Sequence, residues 1–331
     1  MKEIKEKLKY YIKKNIYVCI LAYIINNLWQ QIKILCGNIN TTSGTTHNDL
    51  SIEQSVDYIQ KVFADYQRVS KQHTFTGHLA ELGPGDNLGV ILMFLANGIS
   101  TADAPDRFYS NRNIMQQQKI YQKLSALHPK INNILSANQD NSYENINNVT
   151  RYYGKNAAGE FFFNSTKKYD IIISRSVLEH LDNPLLALQK MYLALNPGGM
   201  LIHKVDLRDH GMLTPWHHAT KFLEIPNWLY KLMTKGIGYP NRILFHRYKQ
   251  LVKNFNETCK HYFYIAGLHG VQPLNQEYCI TKLPHNYKQL ALNYISQYKH
   301  KYAAEFKNIP NEELMISSFF WVCKKPGNQP S

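Results

Sequence analysis

The segment from His78 to Asp103 constrains the fold of this chain more than any other. His78 to Leu82 (HLAEL) reads as a short strand and runs straight into Gly83-Pro84-Gly85-Asp86-Asn87. Leu88 to Ala96 is then apolar and stops at Asn97-Gly98. Strand, glycine turn, helix and glycine stop predict the opening of a doubly wound α/β unit, in which a helix carries the chain over one sheet face to a parallel neighbour. Ile99 to Ala102 supplies that neighbour and delivers Asp103, 20 residues beyond Gly83, where an acid can accept hydrogen bonds from ribose hydroxyls.

Two details separate the nucleosides such a turn could hold. Leu88 stands where a dinucleotide fingerprint has its third glycine, and the strand ends in Glu81 just before the turn. A pyrophosphate needs the full glycine set and a free helix N-terminus. S-adenosylmethionine has no phosphate and needs only close backbone approach, with acids for its hydroxyls and amino group. The pattern leans to the methyl donor, with a nicotinamide-type domain as the rival.

The remaining landmarks place this unit in a larger domain. Ser51 to Lys71 carries Ile52, Val56, Ile59, Val62 and Phe63 at helical spacing. Tyr169 to Ser174 (YDIIIS) is a buried strand followed by Val177-Leu178-Glu179-His180-Leu181. Asp182 as N-cap and Pro184 in the first turn then open a helix to Leu195, stopped by Asn196-Pro197-Gly198-Gly199, and Met200 to Val205 is the next strand. Tyr262 to Ile265 and Leu314 to Cys323 are strand-like at the chain's end. These segments make residues 51–331 one α/β domain, with a cap insertion at about 207–258, behind a helical extension and linker over residues 1–50.

The order E-L-G-P-G-D, an acid after the second strand, S-V-L-E-H-L, then N-P-G-G before a strand resembles the class I S-adenosylmethionine-dependent methyltransferases, from Gly77 to about Asp206. The resemblance implies a seven-stranded sheet of order 3-2-1-4-5-7-6 with the last strand antiparallel. It also implies that Glu81, Gly83 and Gly85 line the methionine moiety, Asp103 the ribose, and the Ser174 backbone the sulfonium, with Asn156 near the adenine amino group.

Methyl transfer needs an aligned acceptor and, for a hydroxyl, a base; no metal is obligatory. Asp206-Leu207-Arg208-Asp209-His210, at the carboxyl end of the fifth strand, is the densest ionisable cluster of the core. His210 is the first candidate for general base, with Asp206 or Asp209 orienting it or meeting substrate; otherwise both acids cap the following loop. His180 is the second candidate, and Glu179 beside it reads as a loop-ordering residue. His203 reads as a packing histidine, and His217-His218 with His210 and Asp209 is no recognised ligand set. The cap's aromatics read mainly as its own small core, and Arg242 is its best substrate contact.

Lysine and arginine exceed aspartate and glutamate to give a net charge of +14, which raises anionic partners. The basic residues are dispersed, so nucleic acid is the less favoured one. Five scattered cysteines fit a reducing, cytoplasmic compartment. At the N-terminus, Lys2, Lys5, Lys7, Lys9, Lys13 and Lys14 precede an apolar stretch, Ile16 to Ile25, that breaks at Asn26-Asn27, short of the ~20 residues a bilayer core requires. Packing of this extension on the domain is the first expectation, and peripheral attachment at the inner membrane face the second. Gly37 to Asp49 reads as a linker. The function expected is methylation of a small molecule or glycan precursor, O-directed. An RNA (tRNA or rRNA) methyltransferase and a non-catalytic S-adenosylmethionine-binding scaffold are the alternatives.

Overall fold

The structure, a computed structural model, describes residues 10–41, 44–136, 146–163, 165–236, 238–255 and 258–327. Lys2, Lys5, Lys7 and Lys9 lie outside them. The strands in chain order are β1 (Asn40–Thr41), β2 (Gly77–Leu82), β3 (Ile99–Asp106), β4 (Tyr109–Ser110), β5 (Val149–Tyr153), β6 (Tyr169–Arg175), β7 (Leu195–Asp206), β8 (Lys260–Leu268), β9 (Tyr278–Cys279) and β10 (Ile316–Lys324). Eight of them form one mixed sheet of order β5-β3-β2-β6-β7-β10-β8-β9. β10 runs antiparallel to both its neighbours, whereas β5, β3, β2, β6 and β7 pair in parallel. The sheet holds one strand more than the resemblance implied, because the short β9 pairs along β8 at the edge.

Alternation along the central strands sends successive side chains to two separate cores. Leu79, Ile171, Ile173, Ile202, Phe320 and Val322 face one, under the helix Ile52–Ser70. Ala80, Leu82, Ile172, Leu201, Phe319 and Trp321 face the other, under the cap. Ser51 opens the first of these helices with a capping box to Gln54, and its buried Val56, Ile59, Val62 and Tyr66 keep the 3–4 spacing visible in the sequence. The helix Pro184–Leu193 is capped by Asn183 rather than Asp182, since the Asn183 side chain accepts from the Leu186 N–H. The helix His285–Tyr298, between β9 and β10, adds Ala291 and Ile295 to the second core.

Two expectations about the first fifty residues change. Ile16–Leu35 is one uninterrupted helix through Asn26 and Asn27. Both amides turn to the domain and find partners there: Asn27 donates to the Leu232 carbonyl at 2.8 Å and Asn26 to the Tyr239 hydroxyl at 2.7 Å. The segment after it is no free tether. β1 pairs with β4, and Gly44 lies against Gly85.

Candidate active site

The glycine turn is built by close approach. Gly83 and Gly85 have φ of +70° and +69°; a Cβ on Gly83 would lie 2.6 Å from Val177 Cγ2, and one on Gly85 2.6 Å from the Gly44 carbonyl oxygen. Only glycine fits either place without displacing its neighbour. The Gly83 N–H donates to the Pro105 carbonyl at 2.9 Å and the Gly85 N–H to Asp106 Oδ2 at 3.2 Å. Asp86 ties the N-terminal segment down: its N–H donates to the Gly44 carbonyl, and its Oδ2 accepts from the His47 and Asn48 N–H groups.

Around this crest lie buried polar atoms that the protein leaves unmatched. Glu81 Oε2, Arg151 Nε and Nη2, Arg112 Nε and Gln117 Oε1 have no hydrogen-bond partner. Unsatisfied buried groups are costly and mark places where a ligand completes the network. Burial pushes the Glu81 carboxyl up to about 8 despite the attraction of Arg151. The set matches an amino-acid nucleoside: an acid for an ammonium, a half-buried glycine turn without side chains, and a second acid for hydroxyls.

Asp103 lies short of the crest. β3 continues four residues further than the sequence suggests, so Asp103 pairs beside Ala80 inside the strand. Its carboxylate is engaged by Lys167 Nζ at 2.9 Å and the Tyr169 hydroxyl at 2.6 Å. Asp106, at the strand's end and bonded to the Gly85 amide, is the acid beside the crest. Burial, opposed by hydrogen bonds from the Phe108 and Gly85 amides, raises its pKa. Ser174 is buried at the end of β6 with its Oγ 2.8 Å from His203 Nδ1. Asn156 is exposed in the short turn after β5.

The residues at the carboxyl ends of β6 and β7 converge. His210 Nε2 stands 3.6 Å from Glu179 Oε1 and 3.8 Å from Asp206 Oδ1, and its ring meets that of His180 edge-on at 4.8 Å. His210 has φ +50° and Ser176 +54°, so both turns that form the site hold left-handed non-glycine residues. Glu179 is fully enclosed; burial first, then Asp206, lifts its pKa well above the ordinary range. Its Oε1 accepts the Asp206 N–H at 3.2 Å, and its Oε2 has no partner. Burial opposes ionisation of Asp206 too, but the Arg208 guanidinium, gripping both its oxygens, brings its pKa below the ordinary value. Burial and the neighbouring His210 depress His180 to about 4, which keeps it neutral near pH 7. Glu179 orders its loop as expected, accepting from the Asp206 and Asn241 N–H groups, and nothing local in the sequence reveals its burial beside the two histidines.

Two expected substrate contacts are instead structural. Asp209 turns inward and accepts from the backbone N–H groups of Gly211, Leu213 and Thr214, so it shapes its own loop. Arg242 is packed between the rings of Tyr230 and Phe306 and donates to the Phe222 and Ile225 carbonyls and to Glu305. Its guanidinium is consumed by the cap. Phe222 and Tyr230 are buried there as well. His203 is enclosed beside Ser174, and His218 is paired with Glu224 and stacked on Tyr298. Among the described residues two trios bring ligating atoms within 4.8 Å of one another, Glu179-His180-His210 and Cys259-His261-Cys323.

The family model for the methyltransferase domain matches residues 58–256. The chain belongs to the methyltransferase family. Enzymes of this class take their methyl group from S-adenosylmethionine, and the crest with its unmatched acid fits that cofactor. The match spans the crest, the Glu179-His210 cluster and most of the cap, and leaves the first fifty residues outside. No curated protein matches the sequence. Among solved structures, the methyltransferase resembles a Bacillus halodurans protein described as a methyltransferase, at 12% identity over 80% of this chain and 98% of that one, TM-score 0.36. It also resembles an O-methyltransferase family protein from Burkholderia thailandensis, at 9% identity over 84% and 59%, TM-score 0.39. Phosphoethanolamine N-methyltransferase 2 of Haemonchus contortus, in complex with S-adenosyl-L-methionine, aligns at 12% identity over 81% and 52%, TM-score 0.38.

Proposed function

We propose that this methyltransferase methylates a hydroxyl of a small molecule or glycan precursor, with His210 as general base. The observation that carries the reading is the His210 imidazole set against Glu179 and Asp206 at the carboxyl ends of β6 and β7. S-adenosylmethionine supplies a methyl carbon already activated by its sulfonium, so the protein's work is alignment and proton removal. Glu81 meets the cofactor's ammonium and Asp106 its ribose hydroxyls, while Gly83 and Gly85 allow the close approach. Val177, which rests on Gly83, belongs to the same segment as Glu179 and His180, so one loop touches both the cofactor seat and the His210 base.

His210 Nε2 faces the two carboxylates, which leaves Nδ1 as the basic nitrogen for the acceptor's proton. Asp206, kept ionised by Arg208, stabilises the imidazolium that results. Replacing His210 by Asn tests the reading: turnover falls by about 10²–10⁴ while S-adenosylhomocysteine affinity stays within about twofold. Unchanged turnover moves the base to another residue, and a product shown by NMR to be methylated on nitrogen or carbon removes the O-directed assignment.

A further inference from the structure

We propose that the outer face of the helix Ile16–Leu35, together with Trp228 and Leu232, is a docking surface for an anionic phospholipid membrane, on which the enzyme lies without crossing it. The helix has two unlike faces. Cys19 and Asn27 are buried, and Ile16, Ile20, Tyr23 and Ile24 pack on the domain's core. The opposite stripe, Tyr17, Leu21, Ile25, Leu28, Ile32 and Leu35, follows the 3–4 spacing of one helical face and stands in solvent, with Tyr17 80% and Leu35 86% exposed. The helix Asn227–Thr234, on which it packs, extends the same surface with Trp228, 66% exposed, and Leu232. Trp29 lies beside it on the outer side. A contiguous apolar face of this extent marks an interaction site rather than scattered surface hydrophobes.

The charge around that face selects the occupant. No aspartate or glutamate occurs between Glu6 and Asp49, and the described part of that stretch carries Lys14 and Lys33 at the two ends of the helix. Lys33 Nζ hangs 5.6 Å over the Trp29 ring and Lys14 Nζ 4.5 Å over that of Trp216, so cations and interfacial aromatics sit together at both ends of the helix. Apolar side chains on one face, flanked by lysines and tryptophans, are what a headgroup–acyl boundary with anionic lipid requires. A second copy of the chain would instead oppose lysine to lysine. Although the helix is long and apolar enough to span by length and composition, its polar middle is bonded to the domain. Asn26 donates to Tyr239, Asn27 to the Leu232 carbonyl and Gln31 to the Lys235 carbonyl at 3.1 Å. Crossing would break all three and expose Asn26 and Asn27 to hydrocarbon, so the axis lies in the plane of the interface.

The test uses the full chain in flotation with vesicles of phosphatidylcholine alone and of phosphatidylcholine with phosphatidylglycerol, beside the double variant Leu21→Glu/Leu28→Glu. S-adenosylhomocysteine affinity and melting temperature check that the variant folds. Wild type binds the anionic vesicles, is released by alkaline carbonate, and binds neutral vesicles far less. The variant loses about 100-fold in vesicle affinity with its cofactor affinity intact. Equal binding by variant and wild type overturns the proposal, as does indifference to anionic lipid. Resistance to carbonate, met only by a spanning helix, overturns it as well, and so does a dimer in sedimentation that the double variant dissociates.

Discussion

The Glu81 carboxyl carries a prediction that can be worked through from its surroundings. Burial moves its pKa from 4.5 to about 8 in the cofactor-free protein. The folded state then binds more protons than the unfolded chain between those values, so stability is full below pH 4.5 and declines as pH rises towards 8. At about 1.4 kcal/mol per pH unit, the loss approaches ~5 kcal/mol above pH 8. Glu81→Gln removes the ionisable group and keeps its size. The cofactor-free variant should therefore melt higher than wild type at pH 8.5 and show a much flatter dependence of melting temperature on pH. An ammonium placed against Glu81 reverses the situation by stabilising the carboxylate. S-adenosylhomocysteine binding at pH 7 then releases close to one proton, and its affinity rises about tenfold between pH 7 and 9 in wild type. In Glu81→Gln the affinity is weaker and this rise disappears. Calorimetry in buffers of different ionisation enthalpy reads the proton directly; no proton release in wild type, or equal release in the variant, refutes the reasoning.

Other consequences are simpler to state. Asp209→Ala leaves three loop amides without their acceptor and should cost about 1–3 kcal/mol of stability, with KM for the acceptor changed less than melting temperature; a variant that melts normally yet loses turnover returns Asp209 to the substrate site. Burial depresses His180 and His269 to about 4 and His203 to about 3. Their contribution to stability is whole above their ordinary pKa of 6.5 and drains away as pH falls towards 4, so in Glu81→Gln, where the opposing titration of Glu81 is removed, the melting temperature falls from pH 7 to pH 4.5; a profile as steep in His203→Gln and His269→Gln added to that background contradicts their burial as neutral rings. Glu179→Gln keeps the hydrogen bond to the Asp206 amide and removes the titratable carboxyl facing His210, and should shift the pH profile of turnover while leaving cofactor affinity unchanged. A profile identical to wild type makes Glu179 a packing residue.

Much of this was legible in the chain because local chemistry and tertiary demand agree at the crest. Gly83 and Gly85 are required by steric contacts with Val177 and Gly44, and the helix after them is an unbroken apolar run. The acid beside the crest is hidden in the sequence for a local reason. Pro105 lacks an N–H and suggests that the strand has ended, yet its carbonyl accepts from Gly83 and the strand runs on to Asp106. Asn26-Asn27 looks like an interruption until the Leu232 carbonyl and Tyr239 hydroxyl supply partners from some two hundred residues away. Arg242 and Asp209 are charged residues in the right region, but ring faces and backbone groups of the cap consume them, and no spacing in the sequence encodes that. Glu179 and His210 meet across 31 positions through the pairing of β6 with β7, a contact that only the sheet creates.

The most direct test of the account is calorimetric titration of S-adenosylhomocysteine into wild type, Asp106→Ala and Asp103→Ala. Binding to wild type, a loss of at least ~1.5 kcal/mol in Asp106→Ala and a far smaller change in Asp103→Ala are the results predicted for a nucleoside seated on the Gly83–Gly85 crest. Unaltered affinity in Asp106→Ala, or preference of the wild type for a nicotinamide dinucleotide, contradicts it.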